Sequence, residues 1–172
     1  MNKTDEIANE FYAQYGLAMH TIQMLESGLL ELYAIKVFIN ENLTELDYYK
    51  ILSCSRKWPL GKIKDKLFEL NFLEIEVKEA IVKSNKIRIF LAHRFWWERE
   101  IEFENENEIV KMRNEIFSFI HIFENLMIII NTKINSIRFE NNLKIEEKMG
   151  LTDFKVRENF ILSLQPDCKK YS

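Results

Sequence analysis

Apolar residues recur every three or four positions along most of this chain, and that spacing predicts helices rather than strands. From Thr4 to about Asn40 the series runs Ile7, Phe11, Tyr15, Ala18, Ile22, Leu25, Leu29 and Leu32. Thr4 suits an N-cap and acids follow it in the first turn, while Gly16 is placed to bend or split the helix. A shorter segment after Thr44 carries Leu46, Tyr49, Ile51 and Leu52. It stops by Trp58, because the residue before a proline is biased out of the helical region. Pro59 then fits the first turn of a helix from Leu60 to Leu70, closed by Asn71. A longer helix is predicted from about Leu73 to Trp97 on Val77, Ile81, Ser84, Ile87, Leu91 and Phe95. Glu98 to Glu108 alternates like a strand, but Glu and Asn are poor strand formers. It reads as an exposed connection or the charged start of the next helix. That helix spans Glu108 to about Ile137, and a weaker one lies between Thr152 and Leu164. The pattern predicts an all-α fold, an up-and-down four-helix bundle with an additional C-terminal helix. One domain is expected over residues 1–172, its core at about 5–137 and a C-terminal extension over 138–172.

Composition narrows this further. With 47% hydrophobic and 13% aromatic residues among 172, a sizeable core is available. The four glycines, Gly16, Gly28, Gly61 and Gly150, are too far apart for a phosphate-cradling loop, so nucleotide binding of that kind is not expected. Cys54 and Cys168 stand in no C-x-x-C pattern and read as two free thiols suited to a reducing cytoplasm. The start carries acids and no apolar stretch, so no secretory leader is expected. The most apolar run, Leu126 to Ile130, is far short of the ~20 residues of a membrane span, so no membrane association is expected. A net charge of −3 gives no global basic face for nucleic acid.

The usual signatures of chemistry are missing. No H-E-x-x-H or E-x-x-H pair occurs, and His20, His93 and His121 fall on different predicted helices, so neither a metal nor another cofactor is expected. Charge distribution is more informative. Between Ala80 and Trp97 there is no acid, whereas Lys83, Lys86, Arg88 and Arg94 are cationic. A second basic strip comprises Arg56, Lys57, Lys62, Lys64 and Lys66, offset by Asp65. Packed as neighbours, the two would offer an anion-binding patch. His93 lies inside the first strip, ahead of Phe95, Trp96 and Trp97. Such aromatics can stack unpaired bases, although core or interface packing is their commoner use.

The run Arg88-Ile89-Phe90-Leu91-Ala92-His93-Arg94-Phe95-Trp96 resembles the motif of the HEPN superfamily, an Arg followed after four to six residues by His. Leu91, Ala92, His93, Phe95 and Trp96 match its longer form. Upstream, Leu60-Gly61-Lys62-Ile63 is similar to an element that precedes the motif helix in bacterial relatives, and Gln23 and Glu26 fit their first helix. The resemblance covers roughly residues 15–130. Many members place a polar residue, often Asn, directly after the Arg, where this chain has Ile89; Asn85, one turn earlier, is a candidate stand-in.

The resemblance implies metal-independent RNA cleavage by a homodimer, of the toxin or phage-defence kind, with an antitoxin protein as a further partner. A ribose 2′-hydroxyl would attack the adjacent phosphate, with His93 as general base or acid and Arg88 stabilising the phosphoryl charge. Lys83, Lys86 and Arg94 would bind substrate. Residues five apart lie about 140° apart around an ideal helix, so Arg88 and His93 should not share a face, and a second subunit should complete the site. The competing reading is a helical module without catalysis, acting in dimerisation or protein interaction. Two other arrangements are weaker: Arg113-Asn114 with His121, whose histidine is expected in the core or an interface, and His20, expected to be structural.

Overall fold

The computed structural model describes residues 3–149, 151–164 and 168. Gly150 and parts of the C-terminal extension (165–167 and 169–172) lie outside the described residues, as do residues 1 and 2. The chain is all-α, with no strand among the described residues. In order the elements are α1 (Lys3–Asn40), α2 (Glu45–Ser55), α3 (Leu60–Glu69) and α4 (Ile75–Ile89). A π-helical turn (Phe90–Arg94) leads into α5 (Phe95–Arg99) and a 3-10 turn (Ile101–Glu104). Then come α6 (Glu106–Glu140), α7 (Ile145–Lys148) and α8 (Phe154–Ser163).

Local chemistry accounts for the boundaries. Thr44 caps α2 through a capping box with Asp47, each side chain bonding the other residue's backbone N–H. Asn42, Asn71 and Asn142 adopt positive φ at helix ends, a conformation asparagine tolerates better than most residues. Asp153 caps α8 through the Val156 N–H. Gly16 does not split α1, which runs unbroken for 38 residues. Pro59 sits one position earlier than expected, as the N-cap of α3 in an extended conformation. The Glu-rich connection becomes the 3-10 turn followed at once by the acidic start of α6.

The chain divides into two compact units. The first comprises Met1–Leu25 and Leu73–Ile128, and the second Glu26–Phe72 and Ile129–Ser172. In the first unit Phe11, Ile22, Ile81, Leu91, Phe95 and Ile116 are buried. Arg113 of α6 pairs with Glu10 of α1, and Arg99 bridges Glu102 and Glu115 at 2.9 Å each. In the second unit Leu32, Ile35, Tyr48, Tyr49, Leu60 and Ile63 are buried. Beside them Arg138 donates to Glu31 at 2.8 Å and to Glu146 at 2.5 Å.

One sequence expectation needs correcting here. Cys54 and Cys168 are not free thiols: they form a disulfide within the second unit. Spacing gives no clue to a pair 114 residues apart. As a whole, α6 is long and apolar enough to cross a membrane, by length and composition only. Polar residues interrupt the run without breaking the average, and Ile109, Met112, Ile116, Ile120 and Phe123 of the same helix are buried in the first unit.

Candidate functional site

The motif segment lies wholly in the first unit, and its backbone departs from an α-helix where the chemistry sits. The Phe95 N–H, which an α-helix would direct to Leu91 O, bonds Phe90 O five residues back. Leu91 O instead accepts the Tyr15 hydroxyl of α1 at 2.6 Å. Aromatic packing holds this turn in place. Phe95 is fully buried and stacks on Phe11 with ring centroids 5.8 Å apart, while Tyr15 lies 5.5 Å from it. Phe90 meets Phe95 edge-on at 5.5 Å.

The π turn changes which side chains can meet. Wider turns, closed by i→i+5 bonds, bring residues five apart close to one face, and such turns recur at functional sites. Arg88 Nη1 lies 3.5 Å from His93 Nε2 within a single chain. The two side chains meet despite the 140° separation expected of an ideal helix. Arg88 is half-buried and His93 exposed, so the guanidinium and the imidazole converge where an anion could reach both. At 3.5 Å their contact is long for a hydrogen bond, and a phosphoryl oxygen could displace it.

The remaining site candidates are distributed unevenly. Lys83 and Lys86 are exposed and, with Lys78, Glu79 and Val82, line a shallow open depression of about 310 Å³ along α4. Lys78 was missed by sequence reasoning, because Glu79 beside it lies outside the acid-free stretch. Arg94 is exposed, but Glu98 holds its guanidinium at 2.5 Å. Ile89 is exposed, and Asn85 is half-buried one turn before Arg88. Tyr15 carries a positioning role that nothing in the motif announces, since its partner is 76 residues away.

The second basic strip belongs to the other unit and is largely engaged there. Arg56 pairs with Glu158 at 2.6 Å, Lys64 with Asp65 at 2.7 Å and Lys66 with Glu69 at 3.5 Å. Lys62 sits over the Trp58 ring at 4.4 Å. Arg113, half of the competing arrangement, is bound to Glu10. His121 is not a core residue: it is exposed, meets Phe117 edge-on at 4.4 Å and contacts Glu124 at 3.2 Å. It follows buried Ile120, so the helix turns it about 100° away from the core. His20 is likewise exposed. Among the described residues no three or more His, Cys, Asp or Glu side chains are grouped to hold a metal.

Trp96 and Trp97 differ sharply. Trp96 is 39% exposed and packs among Phe11, Tyr12, Tyr15, Phe95 and Phe103. Trp97 is 85% exposed. Compared with protein-family models, with curated proteins and with solved structures, the chain matches none.

Proposed function

We propose that this chain is a HEPN-like, metal-independent endoribonuclease that acts as a homodimer in the cytoplasm, of the toxin or phage-defence type and restrained by an antitoxin protein. In this reading the all-α chain is an up-and-down four-helix bundle with an additional C-terminal helix. The observation that carries the proposal is the 3.5 Å approach of Arg88 to His93 across a π turn in the motif segment. It supports the reading because the ribose 2′-hydroxyl and the adjacent phosphate must be served together. His93 accepts the hydroxyl proton as the 2′-oxygen attacks phosphorus, and a second copy of the chain supplies the acid that protonates the departing 5′-oxygen. Arg88, with its fixed fork of donors, stabilises the charge building on the phosphoryl oxygens. The products are a 2′,3′-cyclic phosphate and a 5′-hydroxyl. Lys83, Lys86 and Arg94 attract the RNA backbone.

Incubating the protein with RNA beside His93→Ala and Arg88→Lys variants tests this. Both are expected to fold, since His93 is exposed and Arg88 half-buried. Losing the proton acceptor should reduce cleavage by ~10²–10⁴-fold, and replacing the fork by a point charge by ~10²–10³-fold. Equal cleavage by wild type and His93→Ala would end the enzyme reading. The non-catalytic interaction module keeps one observation in its favour, since Ile89, Trp97 and Ile101 are exposed on the same segment. It is the reading that remains if no RNA is cut.

A further inference from the structure

We infer that the exposed aromatic face of the first unit, formed by Tyr12, Trp96 and Trp97, is a docking surface for an arginine- or lysine-bearing segment of a partner protein. Tyr12 of α1 stacks on Trp96 with ring centroids 5.8 Å apart, and both rings lie nearly parallel to Phe103, at 6.1 and 5.3 Å. Tyr12, Trp96, Trp97 and Ile101 all remain exposed. Glu100 has helical backbone angles, so the helical path of α5 continues through it. It stands four residues after Trp96 and three after Trp97, and its exposed side chain shares a face with both indoles. Ile101 stands four residues after Trp97 and extends the same surface. A cluster of exposed apolar side chains marks an interaction site where single ones do not, and Trp and Tyr are the residues that most often anchor protein partners.

Charge selects the occupant. From Trp96 to Glu108 the chain carries six acids, Glu98, Glu100, Glu102, Glu104, Glu106 and Glu108, against the single base Arg99. The cations of this segment and of the adjoining start of α6 are already engaged. Arg94 is held by Glu98, Arg99 by Glu102 and Glu115, Lys111 by Glu108, and Arg113 by Glu10 of α1. Glu100, between the two indoles, has no ion-pair partner among the described residues. Carboxylates within a Debye length of ~8–10 Å repel a phosphate, which disfavours RNA and an anionic membrane on this face. A guanidinium or ammonium group gains instead a carboxylate and a tryptophan face, the ring that attracts cations best. The surface uses neither Arg88 nor His93, and the inference stands whether or not that pair cuts RNA.

The probe is a short labelled peptide of alternating arginine and alanine, with a second peptide carrying citrulline in place of arginine as its uncharged control. Binding to the full-length chain at about pH 8, where an ordinary imidazole is neutral, is followed by anisotropy and by tryptophan quenching. Wild type should bind the arginine peptide with quenching and the citrulline peptide far more weakly. Trp97→Ala should weaken binding of the arginine peptide roughly 2- to 30-fold, the worth of one cation–π contact. Glu100→Lys should weaken it at least as much and flatten its dependence on salt. Glu76→Lys, the same change of charge at the exposed start of α4, should leave it unaltered. All three substitutions are at exposed positions, so the fold is expected to persist. Absence of arginine-dependent binding by wild type up to millimolar peptide overturns the inference. Equal weakening by Glu100→Lys and Glu76→Lys also overturns it, since overall charge alone would then explain the attraction. Two further outcomes would reassign the face. Binding of a 2′-O-methylated single-stranded RNA that is lost in Trp97→Ala would give it to nucleic acid. A fall in sedimentation mass in Trp97→Ala, with peptide binding unchanged, would give it to a second copy of the chain.

Discussion

Glu31 shows how a single side chain carries a pH dependence in this molecule. Burial raises its pKa, and although Arg138 and Arg157 pull it back, with Glu146 opposing them, the net result is a carboxyl above its ordinary value. A group whose pKa is higher folded than unfolded contributes stability that is fully present below the unfolded pKa. That contribution is lost as pH rises through the folded one. Glutamine at this position keeps shape and polarity but does not titrate. The unfolding free energy of wild type minus that of Glu31→Gln should therefore fall as pH rises from about 4, near the unfolded glutamate pKa, toward 7. Urea denaturation across that range checks it. A difference that is flat or grows with pH would mean that the 2.8 Å contact with Arg138, and not desolvation, governs Glu31. Two neighbours show the same pressure: burial pushes Tyr49 up to about 12 and raises Tyr48 beyond the ordinary tyrosine range.

At the scale of elements, the π turn is the feature on which the site depends, and Tyr15 is the group holding it from outside its own helix. Tyr15→Phe removes the donor to Leu91 O while leaving the ring against Phe95. Loss of a partly buried hydrogen bond of this kind should cost about 1 kcal/mol, read as a small drop in urea midpoint. Cleavage should fall by a larger factor than stability accounts for, because Leu91 O is then free to take back the Phe95 N–H and turn His93 away from Arg88. A variant as active as wild type would show that the turn holds without the tyrosine. Helices were largely legible in the sequence: Thr44, Pro59 and Asn71 marked boundaries within a residue or so of those observed. The π turn was not. Buried Ile87, Leu91 and Phe95 are spaced by four, which an α-helix and a widened turn satisfy alike. Arg88 and His93 were named from their spacing, but that spacing gives no sign of the π turn between them or of the α1 hydroxyl that bonds it.

For the molecule as a whole, the two units place different demands on the chain. The first holds every element of the proposed site, its π turn packed against aromatics from α1. The second is secured by polar and covalent links, the Arg138 network and the Cys54–Cys168 disulfide, which sequence spacing could not reveal because their members are far apart along the chain. A cross-link of this kind acts mainly by restricting the unfolded chain, and restricts it more the longer the loop it closes. With its cysteines 114 positions apart, this one should contribute about 2–4 kcal/mol where it is formed. Cys168→Ser removes the bond while changing an exposed side chain, so no buried group is lost with it. Under oxidising conditions the variant should unfold at lower denaturant than wild type by that amount. Under a thiol reductant the two should coincide, because wild type then lacks the bond as well. RNA cleavage should be unchanged in both conditions, since Arg88, His93 and Tyr15 all belong to the first unit. A cytoplasmic ribonuclease would work with these thiols reduced, so stability and activity should separate cleanly in this variant. If cleavage instead falls with the disulfide, the catalytic pair depends on the second unit as well as the first.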